Sequence, residues 1–120
     1  MRIINRKEFL SLPEGTVFSE FEPHFFDGLF IKGETVGDDD YLEETLVGNV
    51  ASTGSGNYSD IVSRAVENGQ EFSLEFGATS RNGMYDDEQL YAVYSQDDVK
   101  QLVERLVDVV RYPRLKHVGL

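Results

Sequence analysis

Apolar and polar residues recur along this chain with periods that set out most of its elements. The clearest stretch runs from Gln89 to Arg111. In QLYAVYS, residues 89–95, Leu90, Ala92 and Tyr94 face one way and Tyr91 and Val93 the other, so both faces pack and a central strand is predicted. Ser95 then supplies an N-cap hydroxyl, Asp98 stands at the capping-box position and Asp97 favours the helix dipole. Val99, Leu102, Val103, Leu106 and Val110 follow at helical spacing, with Lys100, Glu104, Arg105, Asp108 and Arg111 on the other side, until Pro113 forbids continuation. This predicts an amphipathic helix with one buried face.

Upstream, Asn5 caps a short predicted helix over Arg6 to Leu12, with Glu8 at the capping-box position and Phe9 and Leu10 as apolar contacts, ended by Pro13 and Gly15. Thr16 to Phe21 alternates and Leu29 to Lys32 is a second strand, so the two predict a hairpin whose connection, EPHFFDG, carries two adjacent phenylalanines. After the polar break GETVGDDD, Tyr41 to Val47 reads as a strand. A helix is expected from Ser59 to Asn68, burying Ile61, Val62, Ala65 and Val66 and stopped by Gly69. Glu71 to Phe76 alternates with Phe72, Leu74 and Phe76 inward, and the Asn82-Gly83 turn signal suggests that it pairs antiparallel with residues 89–95. There is no internal repeat. The prediction is a single α+β domain over residues 1–120, with about five mostly antiparallel strands, a short N-terminal helix, a middle helix, a longer C-terminal amphipathic helix and a basic tail at 113–120.

Composition narrows the function classes. With 120 residues the chain is long enough to bury a core without a staple, and with no cysteine it has no disulfide, thiolate metal site or cysteine nucleophile. No apolar run is long enough to span a bilayer, and MRIINRKEFL is charged where a signal peptide needs an apolar core, so a soluble cytoplasmic protein is expected. The net charge of -11 disfavours nucleic acid and anionic membranes as partners. Its distribution is uneven: residues 1–7 and 99–120 each carry +3, which leaves -17 for residues 8–98. An acidic body with basic ends suits a solvated surface, a basic partner protein, or self-association of ends on bodies.

Candidate chemistry is sparse. The two histidines, His24 and His117, are far apart in sequence, and no nucleophile with a positioned base stands out, so no enzyme is expected. The triplet Asp38, Asp39 and Asp40 lacks the alternate spacing of a calcium loop, and no metal or cofactor is predicted. GNVASTGSGN, residues 48–57, leads into a helix, but no lysine follows its glycines and Asp60 would repel an anion. Binding fits better. A nucleotide needs guanidinium groups for its phosphates and an aromatic for its base, and the candidates are Arg64, Arg81, Arg105 and Arg111 with Phe25, Tyr85 and Tyr91. Lone arginines on helices mostly pair with neighbouring carboxylates, and tyrosines on strands are mostly core. A second class is an acidic protein that occupies the nucleic-acid-binding surface of a basic host protein.

The order NRKEFLSLPEGTVFSEFEP, GLFIKGET and DDEQLYAVYSQDDVKQLVERL resembles that of small phage- and prophage-encoded accessory proteins. Among these it is similar to the Thoeris anti-defence sponge family, which binds and sequesters cyclic ADP-ribose-type signals of bacterial immunity without degrading them. The resemblance covers nearly the whole chain and rests on a proline-glycine turn, a strand and a helix cap. It implies a small nucleotide-derived ligand, a homo-oligomer and action in the cytoplasm of a bacterial host. The candidate arginines and aromatics stand on their chemistry and are not carried over from the family.

Overall fold

A computed structural model describes residues 1–112. Its centre is the strand predicted at 89–95, which appears as β8 (Leu90–Val93) with a neighbour on each edge. On one side lies β1 (Arg2–Asn5), in the register Arg2 to Val93 and Asn5 to Leu90, and on the other β2 (Val17–Glu22), with Phe18 opposite Val93. The sheet continues through β3 (Phe25–Val36) and β4 (Asp40–Thr45) to β7 (Thr79–Arg81), giving the order β1-β8-β2-β3-β4-β7 with every pair antiparallel. A separate two-stranded ribbon joins β5 (Asn49–Val50) to β6 (Leu74–Glu75). With helices α1 (Arg6–Leu10), α2 (Ser55–Asn68) and α3 (Gln96–Arg111), the architecture is the expected α+β with more strands; β3 runs well beyond the predicted Leu29 to Lys32, taking in Phe25 to Gly28 of the expected connection and Gly33 to Val36 of the expected polar break.

The core lies on one face of the large sheet. Alternation in β1, β2 and β8 puts Ile4, Phe18, Tyr91 and Val93 there, and Tyr41 joins them from β4. Asn5 ends β1 and caps α1 by accepting a hydrogen bond from the Glu8 backbone N–H at 2.9 Å, so the chain turns back over that face at once. The turn drops Phe9 onto the sheet. Its ring stacks on Tyr91 at 4.0 Å and 6° between planes and meets Phe18 edge-on at 4.6 Å, arrangements that aromatic quadrupoles favour.

Several caps appear as predicted. Ser95 and Asp98 form the full capping box of α3, with Asp98 N–H donating to the Ser95 hydroxyl at 3.0 Å and Ser95 N–H donating to the Asp98 carboxylate at 2.9 Å. Gly69 ends α2 with φ +67. Three expectations need correcting. Residues 72–76 do not pair with 89–95, because both edges of β8 are taken by β1 and β2; Leu74–Glu75 pairs with β5 instead, and Phe72, Leu74 and Phe76 are exposed. The apolar face of α3 is not buried, because α1 occupies the core face of the sheet; no α3 residue is fully buried. The middle helix starts one turn earlier, at Ser55, and Val66 on it is exposed. The predicted tail at 113–120 lies outside the described residues. No helix among the described residues is long and apolar enough to cross a membrane.

Candidate functional site

Where α1 begins, β4 begins and β7 ends, a chain of polar contacts runs from the core to the surface. Asp40 is its hub. It opens β4 just after the GETVGDDD break, and its side chain is fully buried. Arg6, at the first position of α1, is buried beside it, with its Nη2 3.6 Å from Asp40 Oδ1. Arg6 Nη2 also donates to the Asp39 carbonyl at 2.8 Å and Nη1 donates to the Tyr91 hydroxyl at 2.9 Å, while the guanidinium lies 5.4 Å from the centre of the Tyr41 ring. A buried charge is tolerable when it is paired and hydrogen-bonded in this way. The Nε of Arg6 has no partner among the described residues.

On the outer side, Arg81 donates from Nε to Asp40 Oδ2, and the Gly83 backbone N–H donates to Oδ1 at 3.1 Å. Burial pushes the Asp40 carboxyl up, but the hydrogen bonds from Arg81 and from the Gly83 and Tyr41 backbone outweigh it and hold the group below the usual carboxylate range. Arg81 Nη2 then donates to the Tyr85 hydroxyl at 3.0 Å. Tyr85 adopts φ +52 just beyond the Asn82-Gly83 turn, a backbone state uncommon for a bulky residue, and this backbone state helps place the ring beside the guanidinium. The Arg81 side chain is 52% exposed, so a guanidinium oriented from below by a buried carboxylate faces solvent next to an exposed aromatic. A guanidinium exposed in this way can receive an anion.

A second polar feature shares the core face. Glu20 on β2 and Glu43 on β4 are half-buried, and burial first, then their mutual repulsion for Glu20, raises both above the usual carboxylate range. Asn82 opposes the shift at Glu43 through a hydrogen bond, yet Glu43 Oε2 is buried without a partner among the described residues. Lys32 is buried too; its ammonium donates to the Gly33 carbonyl at 3.1 Å and the Thr35 hydroxyl at 2.9 Å, and burial lowers its pKa.

Of the seven candidates, Arg81 and Tyr85 are brought into direct contact. Tyr91 joins the same chain of contacts from beneath, through Arg6 and Asp40, but its ring is fully buried against Phe9 and is not presented to a ligand. Arg64 lies on α2 and Arg105 and Arg111 on α3, all exposed. Phe25 is exposed at the start of β3, the opposite end of that strand from the Asp40 turn. Sequence reasoning missed Arg6 and weighed Asp40 only with Asp38 and Asp39, as an acidic triplet without calcium-loop spacing. No signal marks Arg6, a basic residue at a helix start, as a buried ion.

Asp38, Asp39 and Asp87 line a cleft of about 460 Å³ together with Asn5, Arg6, Lys7 and Leu10. The acidic stretches around residues 38 and 87, remote in sequence, therefore share one surface. Among the described residues no three His, Cys, Asp or Glu side chains are grouped to hold a metal ion. No family model, curated protein or solved structure matches this chain.

Proposed function

We propose that this chain is a non-catalytic binding protein that sequesters a small, anionic, nucleotide-derived ligand, with Arg81 and Tyr85 at the centre of the site. What carries the reading is the Arg81 guanidinium, held by Asp40 and half exposed beside Tyr85. A guanidinium so held gives up less rotamer freedom when it receives a phosphate, and the neighbouring ring supplies a face for a base or ribose. The contact is local, which lets a phosphate bind despite the acidic body. The identity of the ligand as a cyclic ADP-ribose-like or cyclic nucleotide immune signal, and the role as a phage anti-defence protein in the bacterial cytoplasm, rest on the resemblance of the sequence motifs to the Thoeris sponge family.

The test is thermal unfolding of the purified protein against cyclic nucleotides, cyclic ADP-ribose isomers and linear controls. A ligand present at 100 times its dissociation constant stabilises by about 2.7 kcal/mol, which for a chain of this size raises the midpoint by roughly 10 °C. A selective rise with the ligand recovered chemically unchanged supports sequestration. No shift with any of them contradicts it.

One observation favours a second reading, an acidic inhibitor that occupies the nucleic-acid-binding surface of a basic host protein: Asp38, Asp39 and Asp87 face one cleft. Charge reversal at Asp38 and Asp87 should then weaken capture of the partner. Equal affinity at low and high salt would sink this alternative.

A further inference from the structure

The tip of the β2–β3 hairpin is an open strand edge that the ligand site does not use. β4 pairs with β3 only from Phe30 onward, with one further hydrogen bond from the Leu46 N–H to the Leu29 carbonyl at 2.8 Å. Phe25, Phe26 and Asp27 therefore pair with β2 alone, opposite Glu22, Phe21 and Glu20, and the outer backbone edge of residues 25–28 carries no strand among the described residues. Pro23 and His24 close the tip in a two-residue turn, with Pro23 fixing one φ and His24 held at φ +85 in the left-handed region. Such an edge presents N–H and C=O groups in the geometry that another extended segment needs. The two faces beside it differ in chemistry. Register places Phe21, Phe26 and Leu90 on one face, where the Phe21 and Phe26 rings lie 5.7 Å apart and Phe26 is 53% exposed. The other face carries Glu20, Glu22, Phe25 and Asp27, with Glu20 directly opposite Asp27, a like-charge pair that destabilises. The Glu20 carboxyl is raised first by burial and then by repulsion from Glu43, Asp27, Glu22 and Asp86, and none of these five forms a salt bridge among the described residues.

We propose that this edge binds an extended protein segment in which basic and apolar residues alternate, added as a strand beside β3. Backbone pairing supplies the affinity and the period of two supplies the selectivity. Successive side chains of an added strand alternate between faces, so every second one lies beside Asp27 and Phe25, in the field of Glu20 and Glu22, and those between lie beside Phe26. A lysine or arginine suits the first set, because its stem packs on Phe25 while its head meets the carboxylates. Charge also rejects a second copy of this chain as the occupant, since its own edge brings the same carboxylates to a face that already lacks a cation. The open edge lies at the opposite end of β3 from the turn that carries Asp40, and it stands or falls independently of Arg81 and its ligand.

The test is a titration of the isotope-labelled full chain with an end-blocked peptide of alternating lysine and valine, followed by backbone amide shifts in two-dimensional NMR. The expected result is saturable shifts centred on Phe25 to Gly28, with an affinity that falls as salt is added. A peptide of the same composition with its lysines and valines in separate blocks should bind about tenfold more weakly. So should the alternating peptide methylated at its backbone nitrogens, which keeps the charge and loses the ladder donors. Glu22→Lys with Asp27→Lys should abolish the shifts, while Asp60→Lys with Glu67→Lys, the same change of charge on exposed positions of α2, should leave them. Near-UV circular dichroism of the buried tyrosines checks that the first pair is folded, and Phe26→Thr, which should also abolish the shifts, is the second variant should it not be. No shift overturns the proposal, as do shifts centred elsewhere or equal binding of the block or methylated peptide. Shifts at the same residues when the chain alone is concentrated also overturn it, because they make a second copy the occupant.

Discussion

Asp40 connects a buried cation to an exposed one. Replacing its carboxylate by an amide in Asp40→Asn leaves Arg6, which is 3% exposed, without a facing anion. Breaking a buried pair from one side costs about 3 kcal/mol or more, which urea unfolding should show as a lower midpoint with an unchanged slope. Arg81→Ala removes the partner that does most to hold the buried Asp40 carboxylate ionised and should also destabilise, so its ligand response is read against its own unliganded midpoint, with circular dichroism to check the fold. Glu43 makes the opposite case. Its folded pKa is raised by burial, so the folded state holds its proton more tightly than the unfolded state, and stability falls as pH rises from about 4.5 through the folded value. Glu43→Gln should therefore stabilise the protein at pH 7, with the gain shrinking as the solution is acidified. Thermal scans across pH measure this, and a gain that is constant with pH would contradict the assignment. Little of this was legible in the sequence, because whether a carboxylate is solvated or buried depends on which strand lies beside it; Asp38 and Asp39 are exposed while Asp40, next in the chain, is not.

At the scale of elements, local chemistry was readable and partners were not. The caps of α1 and α3 and the left-handed end of α2 follow from Asn5, Ser95 and Gly69 because each acts within one turn. Ser95→Ala should destabilise by about 1 kcal/mol, read by denaturant unfolding with the helical signal as probe. The capping partner Asp98 is held at a pKa of about 2, first by the Ser95 backbone N–H and then by the chain's amino terminus, whose nitrogen is 2.9 Å away. Its contribution is complete above about pH 4 and lost as pH falls toward 2, so Asp98→Asn should flatten the stability profile in that window alone. The β2–β3 hairpin depends on a glycine in the same local way. Gly28 adopts φ +70 and an added Cβ would run into the Phe30 ring, so Gly28→Ala should destabilise by about 2 kcal/mol. Pairing was harder to read. β1, a four-residue edge strand, offers too short an alternation to announce itself, and once it takes the free edge of β8 the strand at 74–75 must go elsewhere. The amphipathic pattern of α3 was read correctly as a stripe, but a stripe does not say whether its own sheet or another molecule covers it.

The whole molecule is a small antiparallel sheet with an aromatic core under α1, an ion-pair chain reaching the surface at Arg81, and an α3 whose apolar side is open. The α+β class follows from strand and helix periods summed over the chain. The candidate site was half legible: Arg81 and Tyr85 lie four residues apart across a turn signal and were both named, whereas the Arg6–Asp40 support that orients them spans 34 residues and has no local signature. The measurement that tests the account most directly is the ligand-induced thermal shift of three proteins side by side: the wild type, Arg81→Ala and Arg105→Ala. The account predicts a selective rise for the wild type with one cyclic nucleotide-derived ligand, the same rise for Arg105→Ala, and none for Arg81→Ala. A full rise in Arg81→Ala would contradict the site.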